Sequence, residues 1–209
     1  MSRKIRSRDN PAFKQLLRIT ASARERRQLG VSFIEGIHLC ESYLGRFGAP
    51  RQVVHTEAAL ADPQVRALVE AGLAERQGAA AGASADASAI GSGSAGAREP
   101  DARTELQGGR CVELGEGLFG ELSQVEHGIG IAYVIDTPAD HLPPVLDSDA
   151  LYLDGLQDPG NVGTILRTCA AVGVHRVITA PGTAWCWSPK VLRAGMGAHF
   201  ALEIHESIP

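Results

Sequence analysis

The sequence predicts an α/β protein built from two modest domains. Apolar strands alternate with helix-periodic segments along the chain, and a strand–turn–helix–glycine–strand unit occupies 151–179. The 209 residues leave room for two domains at about 100 to 200 residues each.

Phe13, Leu16, Leu17 and Thr20 or Ala21 have helical spacing. Ser32, Phe33 and Ile34 read as a strand that turns at Glu35 and Gly36 into a helix carrying Ile37, Cys40, Leu44 and Phe47. A strand follows at Val53 and Val54, then a helix around Val65, Leu68 and Val69. Further strands are expected at Cys111, Val112 and Leu114 and across Ile129 to Ile135. Glu35 invites a catalytic reading, but a lone carboxylate beside a glycine is more often a turn or hydrogen-bonding residue.

Residues 78–97 contain only Ala, Gly and Ser apart from Asp86 and Ile90, too little apolar surface to offset the entropy of ordering. The stretch from about 77 to 109 is therefore expected to be a disordered insertion within the first domain, 1–136. Residues 137–148, with Pro138, Pro143 and Pro144, are expected to form a stiff linker. The second domain then occupies 149–209.

That second domain holds the informative unit. Leu151, Tyr152 and Leu153 form a strand closed by Asp154 and Gly155, and Gln157 to Gly160 supply turn chemistry before Asn161, the expected helix N-cap. A helix from Val162 places Ile165, Leu166, Cys169, Ala170 and Val172 with Val162 on a packing flank, and Gly163, Thr164, Arg167 and Ala171 on the other. Gly173 stands where a left-handed C-terminal residue belongs, and Val174, Val177 and Ile178 resume a strand, so the unit reads as β-α-β with a parallel sheet. Such crossovers put ligand-binding loops at the carboxyl ends of strands. The loop is either a plain structural turn or a polar site in which the helix N-terminus and Arg167 attract an anion such as an RNA phosphate. Its glycines fit neither G-x-G-x-x-G nor a Walker loop.

Charge is unevenly distributed. The net charge is −4, yet residues 1–30 hold nine Lys or Arg against Asp9 and Glu25, a local +7 that leaves −11 for the remainder. A basic segment on an acidic protein is the footprint of phosphate contact. A solvated helix face or disordered arm shows the same run, and a mitochondrial transit peptide shares its Arg and Ser content but would not lead straight into domain-like sequence. Cys40, Cys111, Cys169 and Cys186 lack metal-ligand spacing and read as buried reduced thiols in a cytoplasmic protein. The seven histidines, His199 and His205 being the closest late pair, form no zinc pattern, and neither a membrane span nor a signal peptide is evident. Trp185 and Trp187 could stack on a base, or pack against a domain or subunit surface.

The string Asp158-Pro159-Gly160-Asn161-Val162-Gly163, followed by Arg167 and Gly173, resembles the first signature motif of the SpoU (TrmH-like) RNA 2′-O-ribose methyltransferases. Ser188 to Ala198, reading SPKVLRAGMGA, resembles the segment that follows it in that family. Arg24 to Arg27 and Phe33-Ile34-Glu35-Gly36 resemble the opening of the family's small RNA-binding domain.

The resemblance implies a ribosomal-protein-like α/β N-terminal domain followed by an incomplete parallel-sheet α/β-knot methyltransferase domain. It further implies S-adenosylmethionine as methyl donor, rRNA or tRNA as partner, and a homodimer. Arg167 matches the family's catalytic arginine, and Asn161 matches an asparagine that braces the loop or contacts substrate. Arg24, Arg26 and Arg27, with Lys190 and Arg193, are candidate RNA contacts, the last two alternatively dimer-interface residues. The family's later motifs, which form the donor pocket, have no counterpart before Pro209, so the chain is expected to be truncated and to bind the donor weakly or not at all. Two other classes remain: a non-catalytic RNA-binding protein, and an unrelated nucleotide-binding domain, disfavoured by the missing phosphate-loop glycines.

Overall fold

A computed structural model describes residues 2–74, 106–125, 128–138 and 148–209. Most of the expected insertion and linker lies outside these residues.

The chain runs β1 (Arg3–Ile5), α1 (Pro11–Ala21), α2 (Ala23–Leu29), β2 (Val31–Glu35), α3 (Ile37–Phe47), β3 (Gln52–Thr56), a 3₁₀ turn (Ala58–Ala61) and α4 (Pro63–Leu73). It continues through β4 (Cys111–Leu114), α5 (Glu116–Leu122) and β5 (Ile131–Asp136). The second half holds β6 (Ala150–Leu153), α6 (Pro159–Val172), β7 (Arg176–Thr179), α7 (Pro189–Ala194), a 3₁₀ turn (Ala198–Ala201) and β8 (Glu203–His205).

The first sheet has the order β1-β4-β3-β5-β2, with β1, β4 and β3 parallel and β5 antiparallel to both β3 and β2. Its strands alternate between two covered faces, as period-2 geometry requires. Phe33, Val54, Val112 and Val134 pack on one side with Phe13 and Leu16 of α1. Ile34, Val53, Cys111 and Tyr133 pack on the other with α3 and α4. The second sheet is parallel, β6-β7-β8, in the register Leu151↔Val177↔Ile204. Its inner face joins the same hydrophobic cluster as the α3 and α4 side of the first sheet, so one core continues across both halves.

Several expectations change. The basic segment is folded as β1, α1 and α2. Ser22 caps α2 through Glu25 N–H, and left-handed Gly30 ends it, local signals that a charge-based reading overlooks. The fifth strand begins at Ile131, and Ile129 is exposed. Residues 106–109 are not a disordered tail: Leu106 is buried in the α1 cluster, and the Gln52 side chain donates to Gln107 O and Gly109 O at 3.1 and 2.6 Å. All four cysteines are buried free thiols, and burial raises the pKa of Cys40 well above the ordinary thiol value.

Candidate functional site: the α6 helix and the seam with the N-terminal half

The β6-α6-β7 crossover has the expected parallel form, but its helix begins three residues earlier than the sequence pattern suggests. Asp158 is the N-cap, accepting from Asn161 N–H at 2.7 Å, with Pro159 at the first helical position. The Asp-Pro pair is itself a start signal, because proline needs no N–H partner there. Asn161 thus lies inside the first turn, exposed. Gly173 ends the helix at φ 82°, in the left-handed region, as read.

Arg167 stands on the exposed face with Gly160 and Thr164, and the Thr164 hydroxyl donates back to Gly160 O at 2.8 Å. Eight residues separate Arg167 from Pro159, about 12 Å of helix axis. The Arg167 backbone is therefore on the flank of α6, about two turns past the helix N-terminus, with its exposed side chain on the face that leads back toward the loop. The guanidinium has no carboxylate within ion-pair distance among the described residues.

Two flank assignments are corrected. Val172, in the last turn of α6, is 67% exposed. Gly163 is buried against α7, where a Cβ would meet Ala194 and come within 2.8 Å of Gly195 N. Only glycine lets the two helices approach this closely.

The segment from Trp185 to Ala201 leaves the second sheet and lies on the N-terminal half. Ser32 Oγ donates to Trp187 O, His38 Nε2 pairs with Met196 O at 3.2 Å, and Arg193 donates to Gln124 O at 2.9 Å. Phe200 packs edge-on against Tyr43 and Phe47 of α3, with centroids 5.6 and 5.9 Å away. His199 is fully buried, pairs with Cys186 O at 2.9 Å, and leaves Nδ1 without a partner. Burial lowers its pKa to about 4. Trp187 is buried and Trp185 half-buried, so both pack against protein.

The five candidate RNA contacts divide. Arg24, Arg27, Lys190 and Arg193 are exposed. Arg26 is 5% exposed and donates from Nη1 to Ile19 O and Thr20 O at 2.6 and 3.0 Å, closing the end of α1. Its place is structural, because a side chain held by buried carbonyls cannot also reach a phosphate. Much of the remaining positive charge of residues 1–30 is matched by carboxylates: Lys4 and Arg6 by Glu113, Arg8 by Glu121, Lys14 by Asp9 and Arg18 by Glu25. Sequence counting misses this because two of those partners, Glu113 and Glu121, lie more than 100 residues away along the chain. The Glu35 carboxylate accepts from the Ser123 hydroxyl and Gln124 N–H at 2.5 and 3.2 Å, a loop-closing role.

Residues 149–208 match the model of the SpoU rRNA Methylase family. That match covers 60 of the 209 residues, and over them the chain is similar to the SpoU family. The chain is 43% identical over 93 residues to rRNA methyltransferase 3, mitochondrial, of Xenopus laevis, covering 44% of this chain and 21% of that protein. It is 35% identical over 104 residues to the 23S rRNA (guanosine(2553)-2'-O)-methyltransferase RlmP of Bacillus subtilis, covering 50% and 40%. The chain therefore spans well under half the length of these curated relatives over the matched region.

Among solved structures, an AdoMet-bound rRNA methyltransferase from Sinorhizobium meliloti superposes with a TM-score of 0.70 at 20% identity, over 99% of this chain and 65% of that one. A TrmH-family protein from Porphyromonas gingivalis gives 0.62 at 28% identity, over 93% and 61%. The fold of the SpoU segment and the α/β domain before it is shared with these structures.

At the carboxyl ends of β6, β7 and β8 the loops close on one another: Ala180 N–H and the Thr183 hydroxyl donate to Leu153 O, Ala184 N–H to Leu156 O, Ile208 N–H to Thr179 O, and Cys186 N–H to Glu206 Oε1. A groove of about 680 Å³ lies instead in the N-terminal half, against Phe119, Ser123, Gln124 and Ile129.

Proposed function

We propose that this chain serves RNA 2′-O-ribose methylation, on rRNA or tRNA, with S-adenosylmethionine as methyl donor. The observation that carries the reading is Arg167: an exposed guanidinium without a carboxylate partner among the described residues, on the helix that follows the Asp158–Gly160 turn, within the SpoU segment. The relatives named as rRNA methyltransferases and the AdoMet-bound neighbour support the reaction class and the donor. RlmP supports the ribose position.

A ribose hydroxyl is a poor nucleophile until its proton is drawn off, so the site must orient it and stabilise developing negative charge. Arg167 does so as a fixed cation. Acting as a base would require a neutral guanidine, which is very costly for a group with a pKa above about 12. Arg167 thus aligns the hydroxyl or its neighbouring phosphate, while Asn161, exposed in the first turn, braces the loop or contacts the nucleotide. Arg24, Arg27, Lys190 and Arg193 hold phosphates. No described residue is assigned to the donor, whose contacts would come from elsewhere.

The active species is a homodimer in the cytoplasm, a placement in keeping with four buried free thiols. A second reading, RNA binding without catalysis, is favoured by the closed loops at the strand ends. Incubation of the chain with rRNA and S-adenosylmethionine, followed by nuclease digestion and mass spectrometry, separates the two. A 2′-O-methyl nucleoside that disappears with Arg167→Ala supports catalysis. Methylation unchanged by Arg167→Ala removes that residue from the role, and RNA binding without methylation favours the second reading.

A further inference from the structure

Across the seam between the halves, the Trp185 ring meets two neighbouring arginines. The Arg26 and Arg27 guanidinium carbons lie 5.4 and 5.3 Å from the Trp185 ring centroid. Both distances are within cation–π range. The two arginines differ in every other respect. Arg26 is buried and tied to the end of α1, whereas Arg27 is exposed and its guanidinium lies on the Trp185 ring. Arg26 therefore fixes where Trp185 sits, and Trp185 fixes where Arg27 points.

We propose that Trp185 is a positioning residue that pre-orients Arg27 and joins the basic face of α2 to that of α7, so that one RNA strand is held by both halves at once. This rests on the RNA-binding reading above. Arg24 and Arg27 on α2, with Lys190 and Arg193 on α7, have no carboxylate within ion-pair distance among the described residues, unlike most other cations of the first thirty residues. The same segment docks through Ser32 to Trp187 O and through Arg193 to Gln124 O, and Gln124 in turn donates to Thr20 O, the carbonyl that also accepts from Arg26. The two basic faces are thus linked by a continuous set of contacts. An arginine held against a ring loses less freedom when it meets a phosphate, so the stack raises affinity without itself touching RNA.

The test uses the 209-residue chain and a fluorescently labelled RNA stem-loop with a single-stranded extension, its affinity followed by anisotropy across a salt series. Trp185→Leu removes the ring face while keeping an apolar side chain, and Trp185→Phe keeps a ring. Trp185→Leu is expected to weaken binding by about threefold to tenfold with the log–log salt slope nearly unchanged, because Arg27 keeps its charge, whereas Arg27→Ala is expected to lower the slope by about 1, the signature of one lost phosphate contact. Trp185→Phe should stay within about twofold of the unaltered chain. In an Arg27→Ala background, Trp185→Leu should add no further loss. An affinity of Trp185→Leu within about twofold of the parent, or full additivity with Arg27→Ala, would overturn the proposal while leaving RNA binding intact. Absence of salt-dependent binding by the parent would overturn the RNA-binding reading itself, and this proposal with it. Should Trp185→Leu fail to fold by circular dichroism, the slope of Arg27→Ala decides: an unchanged slope overturns the proposal, and a loss of about 1 supports it.

Discussion

Gly163 of α6 faces Ala194 of α7 with no room for a side chain between them, a Cβ at Gly163 falling within 2.8 Å of Gly195 N as well. This contact sets the distance between the helix that carries Arg167 and the segment that docks on the N-terminal half.

Gly163→Ala should therefore destabilise the protein. The obstructing atoms are backbone and a Cβ, which cannot rotate away, so the cost is that of overpacking, about 1–3 kcal/mol. Urea titration gives the value, and a midpoint within error of the parent would show that the helices separate freely.

Arg24 and Arg26 are two residues apart and should behave oppositely. Arg26→Ala takes the guanidinium donor from Ile19 O and one of the two side-chain donors from Thr20 O in a buried setting, a loss of about 2 kcal/mol. Arg24→Ala, at an exposed position, should change stability by no more than about 0.5 kcal/mol. Thermal melts of the two variants side by side give the comparison, and similar melting temperatures would contradict it.

Buried His199 makes stability depend on acid. Its folded pKa, about 4, lies below the ordinary 6.5, so the unfolded chain binds the extra proton first. Between these values stability rises with pH: the contribution is complete above about 6.5 and lost as pH falls toward 4, on the order of 3 kcal/mol in all. Protonation would place a charge on Nδ1, which has no acceptor. Denaturant midpoints measured from pH 7 to pH 4 should fall for the parent and fall less steeply for His199→Gln. Parallel curves would assign the acid loss to other groups.

Asp158→Ala removes the side-chain cap of α6 and should cost about 1 kcal/mol, whereas Asp158→Asn should retain most of it. Equal losses in the two variants would mean that charge near the helix end, and not the hydrogen bond to Asn161 N–H, is what Asp158 supplies.

The β6-α6-β7 unit was legible because its signals are local: an apolar run, a turn, helical spacing and Gly173 lie within thirty residues and depend on backbone preferences that neighbours seldom override. The family resemblance of Asp158 to Gly163 and of Ser188 to Ala198 was legible for the same reason. The start of α6 lies at Asp158 and not at Asn161, the cap suggested by helical spacing alone, and the signal for it is Pro159 at the first helical position. The burial of Gly163 was not legible, since the helical wheel places it outward and its partner, Ala194, lies on another helix.

By itself the sequence determined the α/β class, the crossover, the cap at Gly173 and the position of Arg167 on an outward helical face, all consequences of spacing and backbone stereochemistry. Tertiary structure alone decided which arginines are accessible. Arg26 is enclosed by carbonyls at the end of α1 and Arg27 is laid on Trp185, more than 150 residues away, while Lys4 and Arg6 are matched by Glu113. The accessibility of a charge depends on the partners that folding brings to it, and those partners lie at distances along the chain that no local pattern records.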